Sequence, residues 1–196
     1  MKRALRHLLV HLTLLIGLVA GAGLAAAPAG AAEHAPTTDR YVFAPGKVGK
    51  AVAGMSKRSA LRTGLFRSNF DDGLCPVHPL AWKGAKRRGQ LFVETTRSGR
   101  IVEMSALRGH YRTTRGVGIG STYDAVKAAY GARLRAPRAT ANGVIAVDVR
   151  TRSGARTRWL TFGFADNEGP TLVGTSPVLN LTVKRGSKPQ LVTDGC

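Results

Sequence analysis

The sequence of 196 residues predicts an α+β fold of two fused units, each a short helical segment followed by about three antiparallel strands, with the helices covering one sheet face. Three observations carry that expectation. Six segments alternate apolar and polar residues with period two. Two glycine-led stretches read as helix starts, and the second repeats the first at an offset of 66 residues.

Positive charge at Lys2, Arg3 and Arg6, an apolar run from Leu8 to Leu24 and then "AAAPAGAAEH" follow the order of a secretory signal peptide. Ala29 and Ala31 form the small-x-small site, which sets cleavage after Ala31 or Ala32 and assigns residues 1–32 to the signal. An uncleaved anchor is the rival, since Leu8 to Ala27 could just span a bilayer, although glycines and His11 dilute the run. The polar "EHAPTTDR", Glu33 to Arg40, opens a flexible leader taken to residue 45. Residues 46–110 then form the first unit and 111–196 the second.

The repeat is visible when "AGMSKRSAL" from Ala53 is set on "IGSTYDAVK" from Ile119: glycine falls on glycine, Ser56 on Thr122 and Ala60 on Val126. "TRSG" at Thr96–Gly99 recurs at Thr151–Gly154, with an offset of 55. In the first unit Ser56 is the N-cap, Leu61 and Leu65 share a face, and Gly64 makes the helix short. In the second, Thr122 caps, Asp124 complements the positive end of the helix dipole, and Tyr123, Val126 and Tyr130 line one face before Gly131 stops it.

After the helices, "LAWKG", "QLFVETT" and "IVEMSAL" read as strands of the first unit, and "VIAVDVR", "RWLTFGF" and "VLNLTVK" as strands of the second. "TRSG" and "ADNEG" supply turns. Leu91, Val93, Val102, Met104, Ile145, Val147, Leu160, Phe162, Phe164, Leu179 and Leu181 form the expected buried face. Alternation turns Phe92, Asp148, Arg150, Trp159, Thr161 and Lys184 the other way.

A Gly-Met-Ser or Gly-Ser-Thr lead into a short helix, followed by strands and repeated once, resembles the tandem fold of the secreted β-lactamase inhibitor proteins and the related small outer-membrane assembly lipoproteins. The resemblance covers roughly Gly46 to Lys184 and rests on Gly54-Met55-Ser56 and Gly120-Ser121-Thr122. It implies a binding module with no catalysis of its own. The chain departs from the family in having one cysteine pair in place of a disulfide within each repeat, and in being far more basic.

Composition and motifs argue against an enzyme. The stretch "RGVGIGSTYD" is neither GxGxxG nor a loop ending in Gly-Lys-Ser/Thr, and the upstream copy manages with a single glycine, so Gly54 and Gly120 more simply give the turn into each helix. An anion at the Gly120, Ser121 and Thr122 N–H groups is the functional alternative. Cys75 and Cys196, the only two cysteines, are expected to bond in an oxidising compartment, which in the chain-entropy model is worth about 4–5 kcal/mol. That leaves His78 in "CPVH" without a thiol partner, and His34 and His110 do not complete a metal site. "NFDDGLC" lacks the ligand pattern of a calcium loop. Glu94, Glu103 and Asp148 lie on strands with no spacing that pairs two as acid and base. No catalytic residue, metal or cofactor is therefore expected.

Charge points to a partner class. After loss of the signal, 27 basic residues face 11 acidic ones, a net charge of +16. The basic residues gather at Lys83–Arg88, Ala132–Arg138 and Arg150–Arg158 without the stacked aromatics of a single-strand nucleic-acid module, so no specific nucleic acid is expected. Two functions follow. In the first, Trp159, Phe92, Arg150 and Lys184 on an open sheet face bind an extracellular or cell-envelope protein. In the second, the basic surface holds an anionic envelope polymer. The first requires Trp159 to be exposed; a loop such as the segment before Cys196 could equally cover it.

Overall fold

Two glycines with left-handed backbone set the two helix starts. Gly54 (φ 94°) and Gly120 (φ 81°) each stand two residues before an N-cap, a conformation that costs a residue with a Cβ about 1–2 kcal/mol. Ser56 Oγ accepts from the Ser59 N–H at 3.3 Å and starts α1, Lys57–Arg62; Thr122 Oγ1 accepts from the Ala125 N–H at 3.2 Å and starts α3, Tyr123–Tyr130. The backbone approach is the same at both. Gly54 N–H donates to Ile101 O and Ile101 N–H to Met55 O, while Gly120 N–H donates to Val178 O and Val178 N–H to Ser121 O. Gly64 (φ 74°) ends α1 after six residues, as its position predicts.

The computed structural model describes residues 41–70, 78–141, 143–165 and 172–191. All belong to one compact unit, His34–Cys196. The signal segment, Cys75, Cys196, Asp71–Gly73 and most of "ADNEG" lie outside the described residues. No helix among the described residues is long and apolar enough to cross a membrane.

Before α1, three two-residue strands, β1 (Phe43–Ala44), β2 (Lys47–Val48) and β3 (Ala51–Val52), form a small antiparallel sheet. The expected leader therefore ends earlier than residue 45: Phe43 is fully buried with its ring 5.6 Å from that of Tyr111, and Tyr41 packs edge-on against Trp82. A polar composition upstream predicts solvation, but two aromatics are enough to anchor the chain.

Among the described residues four strands follow α1 and four follow α3, in each case one more than alternation predicts. After α1 come β4 (Phe66–Phe70), β5 (His78–Trp82) and, beyond the single turn α2 (Ala85–Arg88), β6 (Leu91–Thr95) and β7 (Ile101–Ala106). After α3 come β8 (Arg138–Ala139), β9 (Val144–Ser153), β10 (Arg156–Ala165) and β11 (Val178–Arg185). The missed strands, β4 and β8, are polar or very short, so period two is not legible in them. The sheets are antiparallel, β4-β5 and β6-β7-β11-β10-β9-β8, with the last strand of each set neighbouring the other at the centre. The two "TRSG" turns are not equivalent in this order: the first joins the third and fourth strands after its helix, the second joins the second and third.

The expected core face is observed with two exceptions. Leu91, Val93, Met104, Ile145, Val147, Leu160, Phe162, Phe164 and Leu181 are buried, and α3 rests on them through Tyr130 against Phe162 (5.4 Å) and Tyr123 against Phe164 (5.6 Å). Leu179 is 44% exposed, because the β10–β11 register shifts between Gly163 and Phe164: Gly163 faces Asn180 and Phe164 faces Val178, leaving Leu179 as the extra residue of a bulge. Val102 is displaced likewise between Glu94↔Glu103 and Thr95↔Ile101, and the buried side chain is Ile101.

Candidate anion-binding site

Strand register brings the outward-facing residues together as alternation predicts. One row runs Phe92, Ser105, Thr182, Thr161, Asp148 and the next runs Glu94, Glu103, Lys184, Trp159, Arg150, each residue opposite the one before. This face is not open at Trp159, which corrects the exposed interface expected there. Trp159 is 5% exposed, its Nε1 donates to Gly186 O at 2.8 Å, and the Arg150 guanidinium lies 5.8 Å from its ring. Phe92 is half-buried and Arg150 exposed.

Around Trp159 the face is a buried polar network. Thr161 Oγ1 donates to Asp148 Oδ1 at 2.6 Å, Arg138 Nε reaches Asp148 Oδ2 at 2.8 Å, and Arg138 Nη2 donates to Pro189 O. Thr182 Oγ1 donates to Asn180 Oδ1, and Ser105 and Thr182 hydroxyls meet at 2.9 Å. The chain after β11 returns over one end of this network, where fully buried Leu191 sits against Gly163. Lys184 is committed as well: its Nζ lies 3.1 Å from Glu103 Oε2. Burial pushes the Glu103 carboxyl above its ordinary range, Lys184 opposes the shift, and Glu94 across the strands adds to it. Alternation says which side a residue takes; it carries no information about what the returning chain lays over that side.

The glycine turn offers little to an anion. The N–H groups of Gly120, Ser121, Tyr123 and Asp124 donate to carbonyls of Val178, Gly118, Ser176 and Gly174, and the Ala125 N–H is held by Thr122. The Asp124 carboxylate already stands at this helix end, paired with Lys127 at 2.7 Å. At two of the three residues where an anion contact was expected, Gly120 and Ser121, the N–H groups are thus taken by backbone carbonyls, and Val178 at the start of β11 bonds to both residues.

Positive charge gathers instead where β10 begins and β11 ends. Arg158 and Arg185 are directly opposite, and Arg156 lies two residues from Arg158 on the same face. Arg100, at the mouth of β7, donates from Nη1 to Gly54 O at 2.6 Å, and the Arg185 guanidinium lies over the same glycine. The Arg158 stem packs on Gly46, where a Cβ would come within 2.9 Å of its Cγ. Its Nε is buried with no hydrogen-bond partner, and among the described residues no carboxylate pairs with any of the four arginines. Burial, then the charges of Arg156, Arg100 and Arg158, hold Arg185 below the ordinary arginine value. Like charges directly opposite on a sheet are destabilising, and a buried unpaired donor costs about 1–3 kcal/mol. A second basic group, Arg133, Arg135 and Arg150, lines a shallow depression beside β9.

Arg150, Arg156 and Arg158 fall within one of the basic groups read from the sequence. Arg100 and Arg185 do not, since each stands beside a strand end and reaches the cluster only through sheet register. Cys75 of "CPVH" lies outside the described residues.

The chain matches no protein-family model, no curated protein and no solved structure.

Proposed function

We propose that the chain is a secreted, non-catalytic binding module whose basic surface engages anionic polymer of the cell envelope. The observation that carries this reading is the uncompensated cluster of Arg100, Arg156, Arg158 and Arg185, in a chain with 30 basic and 11 acidic residues. Arginines held together against their mutual repulsion, with no carboxylate among the described residues paired to them, favour a negatively charged partner. The burial of Trp159 weighs against a protein partner at that face and so supports the polyanion reading.

The tandem reading of the fold supports a binding role. Each helix with its four following strands is one unit, and the matching backbone bonds of Gly54 and Met55 with Ile101, and of Gly120 and Ser121 with Val178, favour duplication of a single helix-plus-strands element covering a shared sheet. That arrangement keeps alive the resemblance to the β-lactamase inhibitor proteins, so an inhibitor-like protein partner is the second reading.

Binding of the purified mature protein to poly(glycerol phosphate) and to polyglutamate, measured across salt, tests the proposal. Affinity for both should fall steeply and linearly in log salt. Salt-insensitive capture of an envelope protein, with no retention on either polymer, would favour the inhibitor-like reading. Intact mass before and after alkylation tests the secreted clause: a chain beginning near Glu33 with no free thiol is expected, and alkylation of both Cys75 and Cys196 without reduction would remove the disulfide.

A further inference from the structure

We infer that Arg158, together with Arg100, Arg156 and Arg185, forms a built site for a single phosphate group. The inference rests on the polyanion reading for the sign of the ligand, and adds to it a location and a chemistry.

The location follows from how the guanidinium groups are held. Arg158 and Arg185 cannot move apart freely, because each arises from the same register position of adjacent strands and each stem or head lies against a glycine, Gly46 or Gly54. Arg100 is fixed by its bond to Gly54 O, which leaves its remaining N–H groups to other partners. Arg156 is exposed, on the same face as Arg158 and near enough to Arg185 to act on its charge. A substituent on Gly46 or Gly54 would collide with these arginines, so the two glycines act as the floor on which the cluster lies.

The chemistry follows from donor count and shape. A carboxylate offers two oxygens in one plane, enough for one guanidinium fork. A phosphate offers tetrahedrally disposed oxygens and can take forks from more than one arginine at once. A cluster drawing on two strands and a turn, with no carboxylate among the described residues paired to any of its four arginines, matches the second geometry. The phosphate can be a free ion or one unit of a polymer chain, and the chemistry of recognition is the same for both.

The full mature protein is titrated with inorganic phosphate, pyrophosphate and acetate at matched ionic strength, with the thermal midpoint as readout. Phosphate and pyrophosphate should raise the midpoint by several degrees, and acetate at the same ionic strength should raise it by less than half as much. Arg156→Gln, at an exposed position, should keep the fold and reduce the phosphate shift by half or more; Arg185→Gln should abolish it; Arg133→Gln, outside the cluster, should leave it unchanged. Competition by pyrophosphate against poly(glycerol phosphate) separates the sources: displacement identifies the polymer's phosphates as occupants, and a midpoint shift without displacement identifies a free phosphate. Equal shifts from phosphate and acetate, or a full shift in both Arg156→Gln and Arg185→Gln, would overturn the site. Salt-dependent polymer binding that survives those substitutions unchanged, with no phosphate-specific shift, overturns the site but leaves the broader function standing; a phosphate shift without polymer binding does the reverse.

Discussion

Arg158 and Arg185 face each other across β10 and β11, and among the described residues no carboxylate pairs with either. Both are half-buried, so solvent does not fully screen their repulsion. Replacing one by an acid converts a like-charge pair into an opposite-charge pair at the same position. Arg185→Glu is expected to stabilise the fold by about 0.2–1 kcal/mol at low salt and to abolish phosphate binding. Urea unfolding at two ionic strengths checks the first effect, which should shrink as salt rises.

Trp159 behaves as core. Its ring is buried and its indole N–H bonded to Gly186 O, so Trp159→Ala should cost about 3–5 kcal/mol in folding free energy. At a temperature where the variant stays folded, affinity for poly(glycerol phosphate) should change less than threefold. A loss of affinity with stability preserved would return the residue to a binding surface.

The turn into α3 separates two glycines that look alike in sequence. Gly120 has φ 81° but open space around it, so Gly120→Ala meets backbone strain alone, about 1–2 kcal/mol. At Gly118 a Cβ would collide with the Tyr111 carbonyl oxygen, and Gly118→Ala should cost more, by forcing apart the Arg112–Gly118 bridge. Thr122→Ala should lose about 1 kcal/mol. Ser121→Ala should lose a similar amount, because Ser121 Oγ accepts from the Gly118 N–H at 3.0 Å, a role the sequence does not disclose. Parallel denaturant titrations of the four variants give the order.

Glu103 links stability to pH. Burial raises its folded-state pKa above the ordinary value of 4.5, against the opposing pull of Lys184, so the folded chain takes up this proton at higher pH than the unfolded chain. Stability tied to Glu103 therefore falls as pH rises from the ordinary carboxylate range through the raised value. Glu103→Gln does not titrate. The stability of the unaltered protein relative to this variant should increase as pH is lowered through that window, read as urea midpoints at successive pH values. The opposite slope would mean that the Lys184 pair outweighs burial.

Much of the fold was legible before the chain was folded. Period-two alternation identified β5, β6, β7, β9, β10 and β11, and it assigned Phe92, Asp148, Arg150, Trp159, Thr161 and Lys184 to one side of the sheet, because side-chain direction in a strand is a local property. Both N-caps were legible for the same reason: a hydroxyl at Ser56 or Thr122 acts on an N–H three residues away. Tertiary structure decided what those local facts meant. The bulge opposite Gly163 exposed Leu179, the chain around Leu191 returned over a face that alternation alone left open, and the β10–β11 register brought Arg158 opposite Arg185. Each of these depends on pairing between residues far apart in the chain, where one position of register moves a side chain to the other face and joins a different set of partners.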